Sequence, residues 1–135
     1  MIKAEIGYGD RSYTVSIEGH AGYAPKGQDI VCAGVSALAS AFLESLILIT
    51  KRDYTDGVFI ETGDGLFQFG IRRIKDKQTD DIVRSLIFML ARGLDLIERQ
   101  YPGYISLNTF DFPQRGNDND TSEQTMNTYR EEDKG

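Results

Sequence analysis

The chain is 135 residues long, with a formal net charge of −6 and 40% hydrophobic residues, which suits one globular domain with its own core. That acidic balance gives no electrostatic drive toward phosphate backbones, and Arg72, Arg73 and Lys75 form only a short basic patch at a solvated strand end, so direct nucleic-acid binding is not expected. One cysteine excludes an internal disulfide and favours a reducing compartment, which makes the cytoplasm the expected location.

The first ten residues alternate polar and apolar side chains instead of joining a basic start to a long apolar run, unlike a secretion signal. Ile2, Ala4, Ile6 and Tyr8, then Tyr13, Val15 and Ile17 after Gly9-Asp10, predict a β-hairpin with one buried face. Gly22, Pro25 and Gly27 break the segment from Gly19 to Gln28 into a loop. Asp29 then stands as N-cap of a helix whose apolar positions Val31, Val35, Leu38, Phe42, Leu46 and Ile49 recur every three or four residues. Leu43, Ile47 and Leu48 make its other sides apolar too, a pattern that asks for cover from a second helix or a partner subunit. The longest apolar stretch, Phe42 to Ile49, contains Glu44 and is far shorter than the ~20 residues of a bilayer span, so no membrane association is expected.

Val58 to Thr62 and Leu66 to Arg73 flank Gly63-Asp64-Gly65 and predict a second hairpin. Thr79, with Asp80 and Asp81, supplies a cap and negative charge for a second helix whose apolar positions run Ile82, Leu86, Leu90, Leu94, Ile97 and Tyr101, and Pro102-Gly103 stops it. A last strand is expected over Tyr104 to Phe112. The resulting class is α+β, an antiparallel or mixed sheet of four to five strands with two helices in the order strand-strand-helix-strand-strand-helix-strand. Residues 1–112 form the folded domain in this reading. From Pro113 onward six acids, three bases and few large apolar residues predict an acidic, disordered tail over 113–135.

The chemistry-bearing residues are the lone histidine and the lone cysteine. His20 follows the second strand and Cys32 falls in the first turn of the first helix, so both face the rim where loop, sheet and helix meet. A thiol attacks as thiolate, and a helix N-terminus helps because its first N–H groups have no intrahelical acceptors. That help is worth about 0.3–1 kcal/mol, less than a tenfold change in thiolate population, so a cationic imidazole has to do more. His20 is placed to take the thiol proton and return it to a leaving amine, while the helix N–H groups are available to an oxyanion. Asp29 either orients His20 or only caps the helix, and Ser36, one turn past Cys32, either supports the thiol or bonds back to the Cys32 carbonyl. Gly34 suggests a close approach, by substrate or sheet. The bland alternative is an inert buried thiol beside an unrelated histidine. One Cys and one His leave no recognisable metal set, and Gly63-Asp64-Gly65 lacks the later glycine and the helix of a phosphate loop, so neither metal nor other cofactor is expected.

The runs Gly19-His20-Ala21 and Gly27-Gln28-Asp29-Ile30-Val31-Cys32-Ala33-Gly34-Val35-Ser36-Ala37 closely resemble the signature of the ribosomal-processing cysteine protease family (Prp). The likeness continues through the second hairpin to Ile97-Glu98 and Ile105-Ser106-Leu107-Asn108, covering roughly residues 1 to 110. It implies a homodimeric Cys-His peptidase that removes a short N-terminal extension from a large-subunit ribosomal protein, the twenty-seventh in bacterial numbering. His20 would be the base, Cys32 the nucleophile, Asp29 and Ser36 supporting residues, Gly22 to Gln28 a flexible cover over the cleft, and Gly19, Gly22 and Gly27 substrate-binding positions. The tail departs from the family's compact form, which admits a phage or mobile-element member acting on a capsid or scaffold protein. A non-catalytic dimeric assembly factor is the rival from another class.

Overall fold

A computed structural model describes residues 1–50 and 58–110. Its elements are β1 (Ile2–Tyr8), β2 (Ser12–Glu18), α1 (Ile30–Thr50), β3 (Val58–Gly63), β4 (Leu66–Arg72), α2 (Lys77–Gln100) and β5 (Ile105–Phe110). They form one five-stranded sheet in the order β3-β4-β2-β1-β5. The sheet is mixed: β1 runs parallel to β5 and all other neighbours are antiparallel. The α+β class and element order therefore agree with the sequence reading. The expected 113–135 tail lies outside the described residues.

Period-two patterning decides which face of the sheet is covered. Ile2, Ala4, Ile6 and Tyr8 of β1 share one face with Tyr13, Val15 and Ile17 of β2 and Phe67, Phe69 and Ile71 of β4, and all are buried in one core. Alternate residues such as Lys3, Glu5, Thr14 and Glu18 are exposed on the other face. α1 sends Val31, Val35, Ala39, Phe42 and Leu46 into that core, with the Phe42 ring edge-on to Phe69 at 5.2 Å. α2 adds Val83, Ile87, Leu90, Ala91 and Leu94. The helices approach closely because glycines meet side chains across the seam: a Cβ on Gly34 would lie 3.4 Å from Ile97, and one on Gly93 would lie 2.9 Å from Leu38. Gly34 thus serves helix–helix packing, and the protein neighbour it admits is α2, through Ile97, in place of the sheet.

α1 is, among the described helices, long and apolar enough to cross a membrane by length and composition, yet its Val31–Leu46 stripe is core. Of its other apolar residues, Leu43 packs against the core, whereas Leu48 is 75% exposed.

Three expectations need correction. The cap of α2 is Asp76, which accepts the Thr79 N–H at 3.1 Å and the Thr79 hydroxyl at 2.6 Å, so Thr79 lies inside the helix. The first turn is wholly polar, and apolar periodicity could not reveal a helix start that precedes Ile82. Second, β5 begins at Ile105, because Tyr104 still belongs to the turn: its N–H donates to the Tyr101 carbonyl at 3.3 Å. Third, Arg73 is no free solvated charge. It binds Asp80, which is 6% exposed and does not simply serve the helix dipole.

Asp80 accepts from the Tyr13 hydroxyl at 2.9 Å, Arg73 at 3.0 Å and the Ile74 N–H at 3.1 Å, tying β2, the end of β4 and α2 together. Arg73 also lies 5.5 Å over the Tyr13 ring. Burial pushes the Asp80 carboxyl up, but hydrogen bonds from Arg73, Tyr13 and the Ile74 N–H outweigh it and hold the group below the usual carboxylate range. Burial first, and the bond to Asp80 second, push Tyr13 up to about 12. Asp80→Ala is expected to cost about 2–3 kcal/mol, since it removes charged hydrogen bonds and leaves the buried Tyr13 hydroxyl without its acceptor; an unchanged urea midpoint would refute this. A carboxyl depressed on folding stabilises above its ordinary value, and a phenol raised on folding stabilises below its own. The cluster's contribution is therefore whole between about pH 4 and pH 10 and fades on either side, a profile that pH-dependent melting should show flattened in Asp80→Ala.

Candidate active site

The site forms where β2 ends and α1 begins. Gly19 turns the chain off the sheet with φ +98°, and a Cβ there would lie 2.8 Å from the Met1 carbonyl oxygen, so the next residue, His20, leaves the strand at an angle only glycine permits easily. Ala21 follows, buried, and its N–H donates to Cys32 Sγ at 3.3 Å. Cys32 is half-buried in the first turn of α1.

Asp29 caps that turn. Its Oδ1 accepts the Cys32 N–H at 3.0 Å, and its Oδ2 accepts the Tyr23 and Ala24 N–H groups at 3.0 and 3.4 Å. One carboxylate thus fixes the helix start and the loop in front of it. The Cys32 N–H, opposed by weaker burial and joined by those of Tyr23 and Ala24, holds the Asp29 carboxyl below the usual carboxylate range. The Tyr23 ring meets Tyr101 and Tyr104 edge-on at 5.5 and 5.1 Å, which anchors the loop to the corner between α2 and β5.

A cavity of about 560 Å³ opens at this junction, lined at its mouth by His20 and Cys32 with Asp29, Ser36 and Gly19, Gly22 and Gly27. All seven sequence candidates therefore border one space. Ile2, Ile17, Val35, Ala39 and Phe67 give it an apolar floor. A thiol and an imidazole on the wall of an apolar cleft are the parts needed for acyl transfer to sulfur. The Cys32 N–H is engaged by Asp29 Oδ1 and the Ala33 N–H by the Asp29 carbonyl at 3.0 Å, so these two helix donors are not free for an oxyanion. The Ala21 N–H is the donor aimed at the Cys32 sulfur.

The sequence reading did not single out the β3–β4 turn as part of the site. Asp64 Oδ1 lies 3.9 Å from His20 Nε2, and Asp64 Oδ2 lies 3.5 Å from Lys26 Nζ in the loop. The available signal was an acid between two glycines in a tight turn, which reads equally well as ordinary hairpin chemistry.

The sequence profile of the family described as cysteine protease Prp matches residues 1–106. The ribosomal processing cysteine protease Prp of Bacillus subtilis is 30% identical over 113 residues, covering 81% of this chain and 97% of that one. Among solved structures, an essential ribosomal processing protease Prp from S. aureus, in complex with a covalently linked product peptide, is similar at 28% identity and a TM-score of 0.64, over 81% of this chain and 99% of that one. A Streptococcus mutans protein at 23% identity and a TM-score of 0.62, over 82% of this chain and 94% of its own, shares the fold.

Replacing Asp29 with Ala should loosen helix start and loop together: with a cap worth about 1 kcal/mol, amide exchange at Cys32, Tyr23 and Ala24 should quicken about fivefold. Exchange that quickens at Cys32 alone would show that the loop is held by other contacts.

Proposed function

Because the chain belongs to the cysteine protease Prp family, we propose that Cys32 is its nucleophile, that His20 is its base, and that residues 1–112 are the catalytic unit. The observation that carries this reading is one cleft holding the only thiol and the only imidazole of the chain, with the Ala21 N–H directed at the sulfur. His20 takes the thiol proton, and the sulfur attacks the scissile carbonyl carbon. When the tetrahedral intermediate collapses the C–N bond breaks, and the imidazolium gives its proton to the leaving nitrogen. Water, deprotonated by His20, then cleaves the thioester; the acid product leaves and the proton returns to sulfur. The Ala21 N–H supports the negative sulfur and remains beside the oxyanion that forms there. Asp29 holds the nucleophile's helix, and Ser36 borders the same wall one turn on.

The substrate is an extended segment of a protein. Relatives named for ribosomal processing support a ribosomal protein precursor, and the family resemblance narrows it to the N-terminal extension of the twenty-seventh large-subunit protein. The apolar floor favours an apolar side chain next to the cut, and Gly19, Gly22 and Gly27 border the space where the segment would lie. A lone cysteine supports work in the cytoplasm. Apolar residues left exposed on both helices, among them Leu48, Met89 and Leu96, support a homodimer.

Incubation of the extended ribosomal protein with the pure protein, followed by mass spectrometry, should reveal loss of the extension at one position. Cys32→Ala should give no product, and His20→Ala should lower kcat roughly 100- to 10,000-fold. Precursor that is bound but left intact by the unaltered chain would support the assembly factor, and cutting that survives in Cys32→Ala would dismiss the dyad.

A further inference from the structure

The geometry points to the Gly63-Asp64-Gly65 turn as the device that positions the His20 imidazole: Gly65 is the platform on which the ring rests, and Asp64 is its charge partner. This rests on His20 acting as base for Cys32. Of the two roles the sequence left open for Asp29, orienting His20 or only capping the helix, the hydrogen bonds support the second, since both of its oxygens are directed to the N–H groups of Tyr23, Ala24 and Cys32.

The β3–β4 turn is placed for the task by the backbone. The Gly19 N–H donates to the Gly65 carbonyl at 2.8 Å, so the residue preceding His20 is fixed to the turn. The ring then lies directly over Gly65. A Cβ built there would be 2.7 Å from Nε2, 3.0 Å from Cε1 and 3.2 Å from Cδ2, three ring atoms at once, and φ at Gly65 is +66°. A ring cannot occupy this place above any other residue type without moving.

Asp64 Oδ1 lies 3.9 Å from Nε2, which is a charge contact and longer than a hydrogen bond. Both side chains are mostly exposed, at 61% and 69%, so solvent weakens the attraction and its role is to bias orientation. With Nε2 turned to Asp64 and Gly65, Nδ1 is the nitrogen left for the thiol proton. Lys26 approaches the other oxygen of the same carboxylate at 3.5 Å and competes for it. Asp64 is accordingly a positioning residue that acts through His20.

The test needs no substrate. Cys32 is the only thiol, so its alkylation by iodoacetamide at neutral pH reports its partnership with the imidazole. His20→Ala should slow alkylation about tenfold, as expected when a thiolate loses its cation. Gly65→Ala should fall to the same level. Asp64→Asn should fall about two- to fivefold, the range for an exposed ion pair; Asp64→Glu should restore the rate, and the deficit should vanish near 1 M salt, where the screening length is about 3 Å. A role limited to folding would not respond to salt in this way. Wild-type rates in Gly65→Ala and Asp64→Asn, beside a slow His20→Ala, would overturn the positioning role and leave the dyad standing. A wild-type rate in His20→Ala would remove the dyad and this inference with it. If circular dichroism shows Gly65→Ala unfolded, Asp64→Asn and its salt response decide alone.

Discussion

A helix that starts at the end of a strand brings two chemical groups together only if something holds the helix end to the loop that precedes it. In this protein that constraint is the Asp29 carboxylate. It closes the first turn of α1 on one oxygen and gathers two loop N–H groups on the other. Had the cap been a serine, one acceptor atom would have served the helix and left the loop to other contacts. The full charge of a carboxylate, shared among three donors, makes the helix start and the loop one unit. Ala21 then reaches the sulfur as a consequence of where the loop must run.

The sheet supplies the second half of the geometry. β2 carries the core side chains Tyr13, Val15 and Ile17 and ends at Glu18, so its register with β4 places the Gly63-Asp64-Gly65 turn beside the strand's exit. Glu18 pairs with Leu66, and the Gly19 N–H carries the ladder one bond further to Gly65. A slip of one residue between these strands would turn the apolar face outward and take the turn away from His20. Correct burial and correct placement of the imidazole are therefore decided by the same register. At the start of the same strand, the buried Asp80 cluster fastens Tyr13 to α2. Both ends of β2 are thus pinned, one through the Asp80 carboxylate and the other by backbone bonds, and the site lies at the exit of this interior strand.

The helix seam shows a related economy of space. Gly34 sits two residues after Cys32 and faces Ile97 of α2, so the turn that carries the thiol is also one of the places where the two helices meet through a small residue. Further along α1, Leu48 emerges from the core and is largely exposed. One helix therefore carries the thiol at its start and exposed apolar side chains near its other end.

Element order, the faces of β1, β2 and β4, the start of α1 at Asp29 and the candidates His20 and Cys32 were legible in the sequence, because alternation, helical spacing and capping are local and each leaves a short-range pattern. The cap at Asp76 and the burial of Asp80 were not legible: a polar first turn has no periodicity, and burial of an acid depends on Tyr13 and Arg73, which come from other elements. The parallel pairing of β1 with β5 was also beyond it, since that contact joins the two ends of the domain. At the site, the sequence by itself determined which groups are available for chemistry. Only the tertiary structure decided that Asp64 and Gly65 meet the imidazole, because the register between β2 and β4 sets those distances across more than forty residues of chain.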